Sequence, residues 1–162
     1  MPEAKTRKAV ARDKRQGKSA STQAGEFVHE EMEHVRKGQH GARSARQAIA
    51  IGLSKARRAG VKAPVSKTAS KATRKKAAQD ETASKHRRKT STTRSRATSG
   101  ALKKEGHAAA SHTALSKQAK SSARKRTSAS RSAAAKKAAR TKGAAGRSTA
   151  AKKAARTRKA HA

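Results

Sequence analysis

The chain has 162 residues and carries 44 Lys and Arg against nine Asp and Glu, a formal net charge of +35. Leu, Ile, Val and Phe supply only 11 residues, and most of the remaining apolar content is Ala, too little to offset the entropy of ordering a full-length globular enzyme. The absence of Cys excludes disulfides and thiolate metal sites, and no apolar run reaches the length of a membrane span, so the composition predicts a mostly disordered, soluble polycation with a strongly anionic partner.

Residues 1–21 hold seven basic and two acidic side chains and read as a basic, disordered arm without the apolar core of a signal peptide. Seven of the large apolar residues then fall between Phe27 and Leu53, so residues 22–64 are expected to form a short α-helical hairpin. Its first helix spans about 23–37. Val28, Met32 and Val35 stand at i, i+4 and i+7 on one stripe, bordered by Phe27, and Gly38 is a natural stop. The second spans about 44–59. Ser44 and Gln47 fit a capping box, Ile49, Leu53 and Ala56 repeat at helical spacing, and Gly60 followed by Pro64 ends it. Ile51 points nearly opposite to Ile49. An exposed Ile is the simpler reading of it, a second contact surface the sharper one. A hairpin of this size is marginal alone, which suggests a weak homodimer through residues 22–61 or ordering on binding.

Residues 65–162 form a low-complexity tail of Ala, Lys, Arg, Ser and Thr, with no β-sheet expected anywhere. Ala134-Ala-Lys-Lys-Ala-Ala-Arg-Thr-Lys142 recurs as Ala150-Ala-Lys-Lys-Ala-Ala-Arg-Thr-Arg158. Ala, Lys and Arg favour helix, whereas like-charge repulsion opposes it. Nascent helices are expected near 114–126, 131–141 and 149–158.

This tail carries the main functional signal. Cations spaced without register to base edges suit phosphate contact rather than sequence reading. The densest points are Arg87-Arg88-Lys89, Arg124-Lys125-Arg126, Lys136 and Lys137 with Arg140, and Lys152 and Lys153 with Arg156. Arg43, Arg46, Arg57 and Arg58 are candidate auxiliary contacts from the hairpin. Phe27 is the only aromatic residue of the Phe, Tyr and Trp class, which disfavours base stacking and single-strand recognition. Duplex DNA is therefore the expected partner, with RNA or the ribosome as the alternative polyanion. A protein-binding hairpin with an avidity tail is the reading from a different class, favoured by Ile51 and by the acidic face of the first helix.

The run His29-Glu30-Glu31-Met32-Glu33-His34 invites a metal reading. Its histidines lie about 140° apart around a helix, and the His29/Glu33 and Glu30/His34 pairs make an incomplete ligand set. The expectation is an acidic, solvated face and no metal. That face is also a candidate surface for docking on the basic tail in competition with DNA. No catalytic constellation, nucleotide cradle or cofactor site is present.

The stretch Ser44-Ala-Arg-Gln-Ala-Ile-Ala-Ile-Gly-Leu-Ser-Lys-Ala-Arg-Arg-Ala-Gly60 resembles a small uncharacterised bacterial domain built on a Ser-x-x-Gln-Ala-Ile-Ala-Ile-Ala-Leu-Ser-x-Ala-Arg core. The resemblance covers about 26–64. It departs at Gly52, where Ala is usual, and at Lys55, where an acidic residue is common. Gly52 predicts a helix loosened by about 1 kcal/mol. Proteins with this domain are often labelled histone-like or plasmid-stabilisation proteins, and the tail resembles those of linker-histone-like bacterial proteins. The resemblance implies a non-enzymatic, histone-like protein of the bacterial nucleoid that neutralises and compacts DNA.

Overall fold

The computed structural model describes residues 2–66, 69–86 and 91–160. Among them are seven α-helices, one short 3-10 turn and no strand. The helices are α1 (Ala4–Arg15), α2 (Ala20–Arg36), α3 (Ala45–Arg58), α4 (Lys71–Lys85), α5 (Thr92–Lys103), α6 (His112–Arg124) and α7 (Ser128–Ala160), with the 3-10 turn at Ala108–Ala110. Two compact units divide at residue 118: Met1–Gln118 and Ala119–Ala162.

The expectation of a mostly disordered chain around one isolated hairpin is overturned, because most described residues are helical. Hydroxyl caps are one physical reason. Ser19, Ser70 and Ser91 each stand before a helix and accept a bond from the backbone N–H three residues on. Ser111 does the same before α6 and Thr127 before α7, at 3.2 Å each. Each cap satisfies one of the free N–H groups at a helix start and stabilises it by about 1 kcal/mol. Ser and Thr in the tail are therefore punctuation as well as filler. Between them lie runs of Ala, Lys and Arg with high helix propensity.

The second reason lies in the core. Nine of the 13 buried apolar residues are alanines, so a count of large side chains underestimates what this chain can bury. Small side chains let helices approach closely, and the interior then packs without large residues. Met32, Val35, Ala42, Ala48, Ala109 and Ala110 form one cluster, closed by Val28, Ile49 and Leu115. Ala24, Phe27, Ala56, Val61 and Ala63 form the other, closed by Val10, Ala20 and Leu53. Val10 and Leu115 come from outside the expected hairpin and seal its two ends.

α2 and α3 make the most extensive pairing, α1 packs on α2, and α4 packs on α3. The first expected helix thus begins earlier, at Ala20 behind the Ser19 cap, and ends at Arg36. Ser44 caps α3 through Gln47 N–H at 3.3 Å, but the Gln47 side chain returns to the N–H of Arg43, at 2.8 Å, rather than to that of Ser44. The arm expected to be disordered is α1, and the tail expected to hold nascent helices contains α4 to α7.

Gly52 is the point where α2 and α3 cross. A Cβ there would lie 2.7 Å from the Val28 Cα and 3.0 Å from the Phe27 carbonyl oxygen. The glycine expected to loosen α3 is what lets the two backbones meet. Gly41 is equally constrained, since its Cβ would overlap the Glu105 carbonyl. Its N–H donates to Leu102 O at 2.8 Å, and Ala42 N–H donates to Gly106 O at 3.1 Å. The last turn of α5 and the segment after it thereby grip the α2–α3 loop.

Candidate nucleic-acid interface

The acidic residues explain much of the surface by where they are not. Asp13, Glu30, Glu31 and Asp80 are all buried. Asp13 takes Lys18 Nζ at 2.6 Å, and Glu30 accepts the N–H of Glu3 at 3.1 Å. Glu31 takes Lys55 Nζ at 2.5 Å. Asp80 accepts the Ser54 hydroxyl at 2.7 Å and Arg58 Nε at 2.9 Å, with Lys76 Nζ at 3.6 Å. Burial alone would raise the Asp80 carboxyl. The Ser54 hydrogen bond, then Arg58 and Lys76, outweigh it and hold the group below the ordinary Asp value. At the surface, Glu33 is lowered chiefly by its hydrogen bond from Lys37.

The acid-rich face of α2 is therefore largely internal, contrary to the solvated face expected. Glu31 lies four residues from both Phe27 and Val35, on the same buried stripe, and that spacing was a readable signal of its burial. Ile51 is half-buried. It precedes Ser54 by three residues and Arg58 by seven, so it shares the face of α3 on which Asp80 of α4 docks. The face opposite Ile49 is a contact surface filled from within the chain.

The second unit contains no acid to oppose its cations. All nine acidic residues precede residue 119, and 15 Lys and Arg follow it. α7 contains eleven of these and no buried residue. It breaks at Gly143, whose φ of 63° and ψ of 177° separate two helical stretches. One 134–142 repeat copy falls on the first stretch and the other on the second. Within each copy the two adjacent lysines and the following arginine fall within about 100° of one another around the helix, so they form one cationic stripe, with Lys142 in the first copy and Arg158 in the second on the opposite side.

Lys136, Lys137, Arg140, Lys152, Lys153 and Arg156 are exposed on α7, and Arg124, Lys125 and Arg126 are exposed at the end of α6 and the connection after it. Arg87, Arg88 and Lys89 lie outside the described residues. The four candidates from the hairpin separate into two groups. Arg46 is exposed and Arg43 is 83% exposed, 3.7 Å from Glu105. Arg57, by contrast, is buried and donates Nε to Ala63 O at 3.2 Å, and Arg58 is engaged by Asp80. Their place near the end of α3 suggested surface cations, but the chain after Gly60 folds back over Arg57, and α4 arrives beside Arg58.

Among the described residues, no helix is long and apolar enough to cross a membrane. No curated protein and no solved structure matches the chain. Residues 14–67 match the model of a family of unknown function (DUF6496), a stretch that contains the whole of α2 and α3 and the Ser44–Gly60 segment on which the resemblance rests.

Proposed function

We propose that this protein is a histone-like, non-enzymatic binder of duplex DNA that neutralises and compacts it through phosphate contacts with little sequence preference, in the nucleoid of a bacterial cell. The observation that carries the reading is the segregation of charge. All nine acidic side chains lie in the first unit, four of them buried, while the second presents 15 Lys and Arg with no acid among them. A cationic stripe on each stretch of α7, with Lys142 and Arg158 opposite it, suits contact with phosphates, and such contacts carry no base information. Displaced counterions would supply the driving force. Arg43 and Arg46 would add contacts from the bundle. The two features that would favour a protein partner instead, Ile51 and the acid-rich face of α2, are taken up inside the bundle. The apolar stripes of α2 and α3 pack against other residues of the same chain.

Competition between A·T-rich and G·C-rich duplexes of equal length tests the reading. The expected affinities differ by less than about 1 kcal/mol, the low end for one base-specific contact. A single strongly preferred site recovered from a pool of random duplexes would overturn it. A marked preference for structured RNA over duplex DNA at equal ionic strength would favour the ribosomal alternative.

A further inference from the structure

Three side chains that DNA binding leaves unused converge where the α2–α3 loop meets α2. Glu31 and His34 project from α2, and His40 stands in the loop. One potential ligand atom from each lies within 4.8 Å of the other two. We propose that Glu31, His34 and His40 bind one divalent transition-metal ion of the Zn2+ class, which staples the α2–α3 loop to α2.

The detailed contacts favour a cation at this point. The Glu31 side chain is wholly buried, and its Oε1 has no hydrogen-bond partner. That oxygen lies 3.3 Å from Nε2 of His40. Nδ1 of His40 is 3.1 Å from the Gly41 carbonyl. A carbonyl only accepts, so Nδ1 carries the proton, and in the neutral ring Nε2 holds a bare lone pair. In that form two lone pairs would face each other across a buried gap, an arrangement that either a proton on Nε2 or a shared metal cation relieves. His34 is oriented in a complementary way. Its Nε2 lies 2.9 Å from Glu3 Oε1, a carboxylate held below its ordinary value chiefly by that bond. With Nε2 as donor, the neutral ring of His34 keeps its lone pair on Nδ1. A carbonyl behind one imidazole and a carboxylate behind the other is the support that metal-ligating histidines characteristically have.

Two imidazoles and one carboxylate form a donor set for Zn2+ and its neighbours rather than for Mg2+ or Ca2+. The side chains of His34 and His40 are 12% and 18% exposed, which leaves a path for an ion. Lys55 Nζ already neutralises Glu31 through Oε2 and would reduce affinity without occupying Oε1. The spacing of His29 and His34 in the sequence concealed this cluster, because the missing imidazole comes from the loop and His29 turns outward to Glu33 at 3.6 Å.

The test is calorimetric titration of ZnCl2 into the full-length, nucleic-acid-free chain, with thermal unfolding followed in parallel. One equivalent of Zn2+ should bind and raise the melting temperature, whereas Mg2+ should do neither. Co2+ should give visible d–d absorption that Zn2+ abolishes. His40→Gln should weaken Zn2+ at least tenfold, and His29→Gln should leave it unchanged. Lys55→Gln removes the competing cation and should tighten Zn2+, a gain that misfolding cannot imitate. Absence of one-to-one binding by the natural chain would show a His40–Glu31 ion pair only and overturn the proposal. Equal loss in His29→Gln and His40→Gln, or no gain in Lys55→Gln, would also overturn it.

Discussion

At the scale of single residues, the account depends on a few side chains whose surroundings reverse their usual meaning. Replacing Gly by Ala inside a helix ordinarily stabilises by about 0.5–1 kcal/mol. At Gly52 the new Cβ would press on the Val28 backbone at 2.7 Å, and neither backbone can yield without separating α2 from α3. Gly52→Ala should therefore destabilise by about 1–3 kcal/mol, measured by urea unfolding of the full chain; a stabilising effect would remove the close crossing. Asp80 offers a test with a pH signature. Its folded-state value is lowered, so its contribution is present above the unfolded Asp value and is lost as pH falls through the folded one. Asp80→Asn should cost about 2 kcal/mol at pH 7. The gap between variant and natural chain should close below pH about 4. A gap that stays constant down to the acid limit would mean that the carboxylate charge does not hold α4 on α3.

At the scale of elements, the positions of α2 and α3 could be read from the stripe Val28, Met32, Val35 and from the Ser44 cap, because periodicity and capping are local. Their completeness could not. The elements that finish the core, α1, α4 and the 3-10 turn, bury Ala77, Ala109, Ala110, Thr6 and two Asp, Asp13 and Asp80, and none of these residue types advertises a core. The burial of Glu31 was legible in its spacing from Phe27 and Val35, but its partner Lys55, 24 residues on, was not. Arg57 was unreadable as an interior group because its partner, the Ala63 carbonyl, lies across a turn. The tail is more helical than like-charge repulsion suggests because four hydroxyl caps, Ser70, Ser91, Ser111 and Thr127, start its helices. The break in α7 gives a prediction at this scale. Gly143 alone has non-helical angles there, no residue of the helix is buried, and Arg147 Nη1 reaches across the break to Ala139 O at 2.9 Å. Positive φ is costly for Ala, and no core contact holds the bend. Gly143→Ala should thus straighten α7 and raise the helical circular dichroism signal of the full chain. An unchanged or smaller signal would show that the bend is held by something other than the glycine.

At the scale of the whole molecule, the chain separates charge by use. Four of its nine acids are buried within the bundle, where Glu30, Glu31 and Asp80 tie separate elements together, and most of its excess cations are left on exposed surface. A high net charge would ordinarily weaken a compact state by self-repulsion; here buried carboxylates at Asp13, Glu31 and Asp80 offset that repulsion locally, each against a named cation. On the proposed reading, the exposed cations of α7 are the ones that meet an external polyanion. The most direct measurement is the dependence of duplex-DNA affinity on salt, comparing the natural chain with a full-length variant in which Lys136, Lys137, Arg140, Lys152, Lys153 and Arg156 are all replaced by Gln. Each phosphate contact contributes about 0.9 to the slope of log affinity against log salt. The variant, which keeps helix-forming side chains and an intact bundle, should lose roughly 3–5 from that slope and bind at least tenfold more weakly at moderate salt. An unchanged slope, with affinity retained, would place DNA recognition elsewhere and contradict the assignment of the second unit as the binding surface.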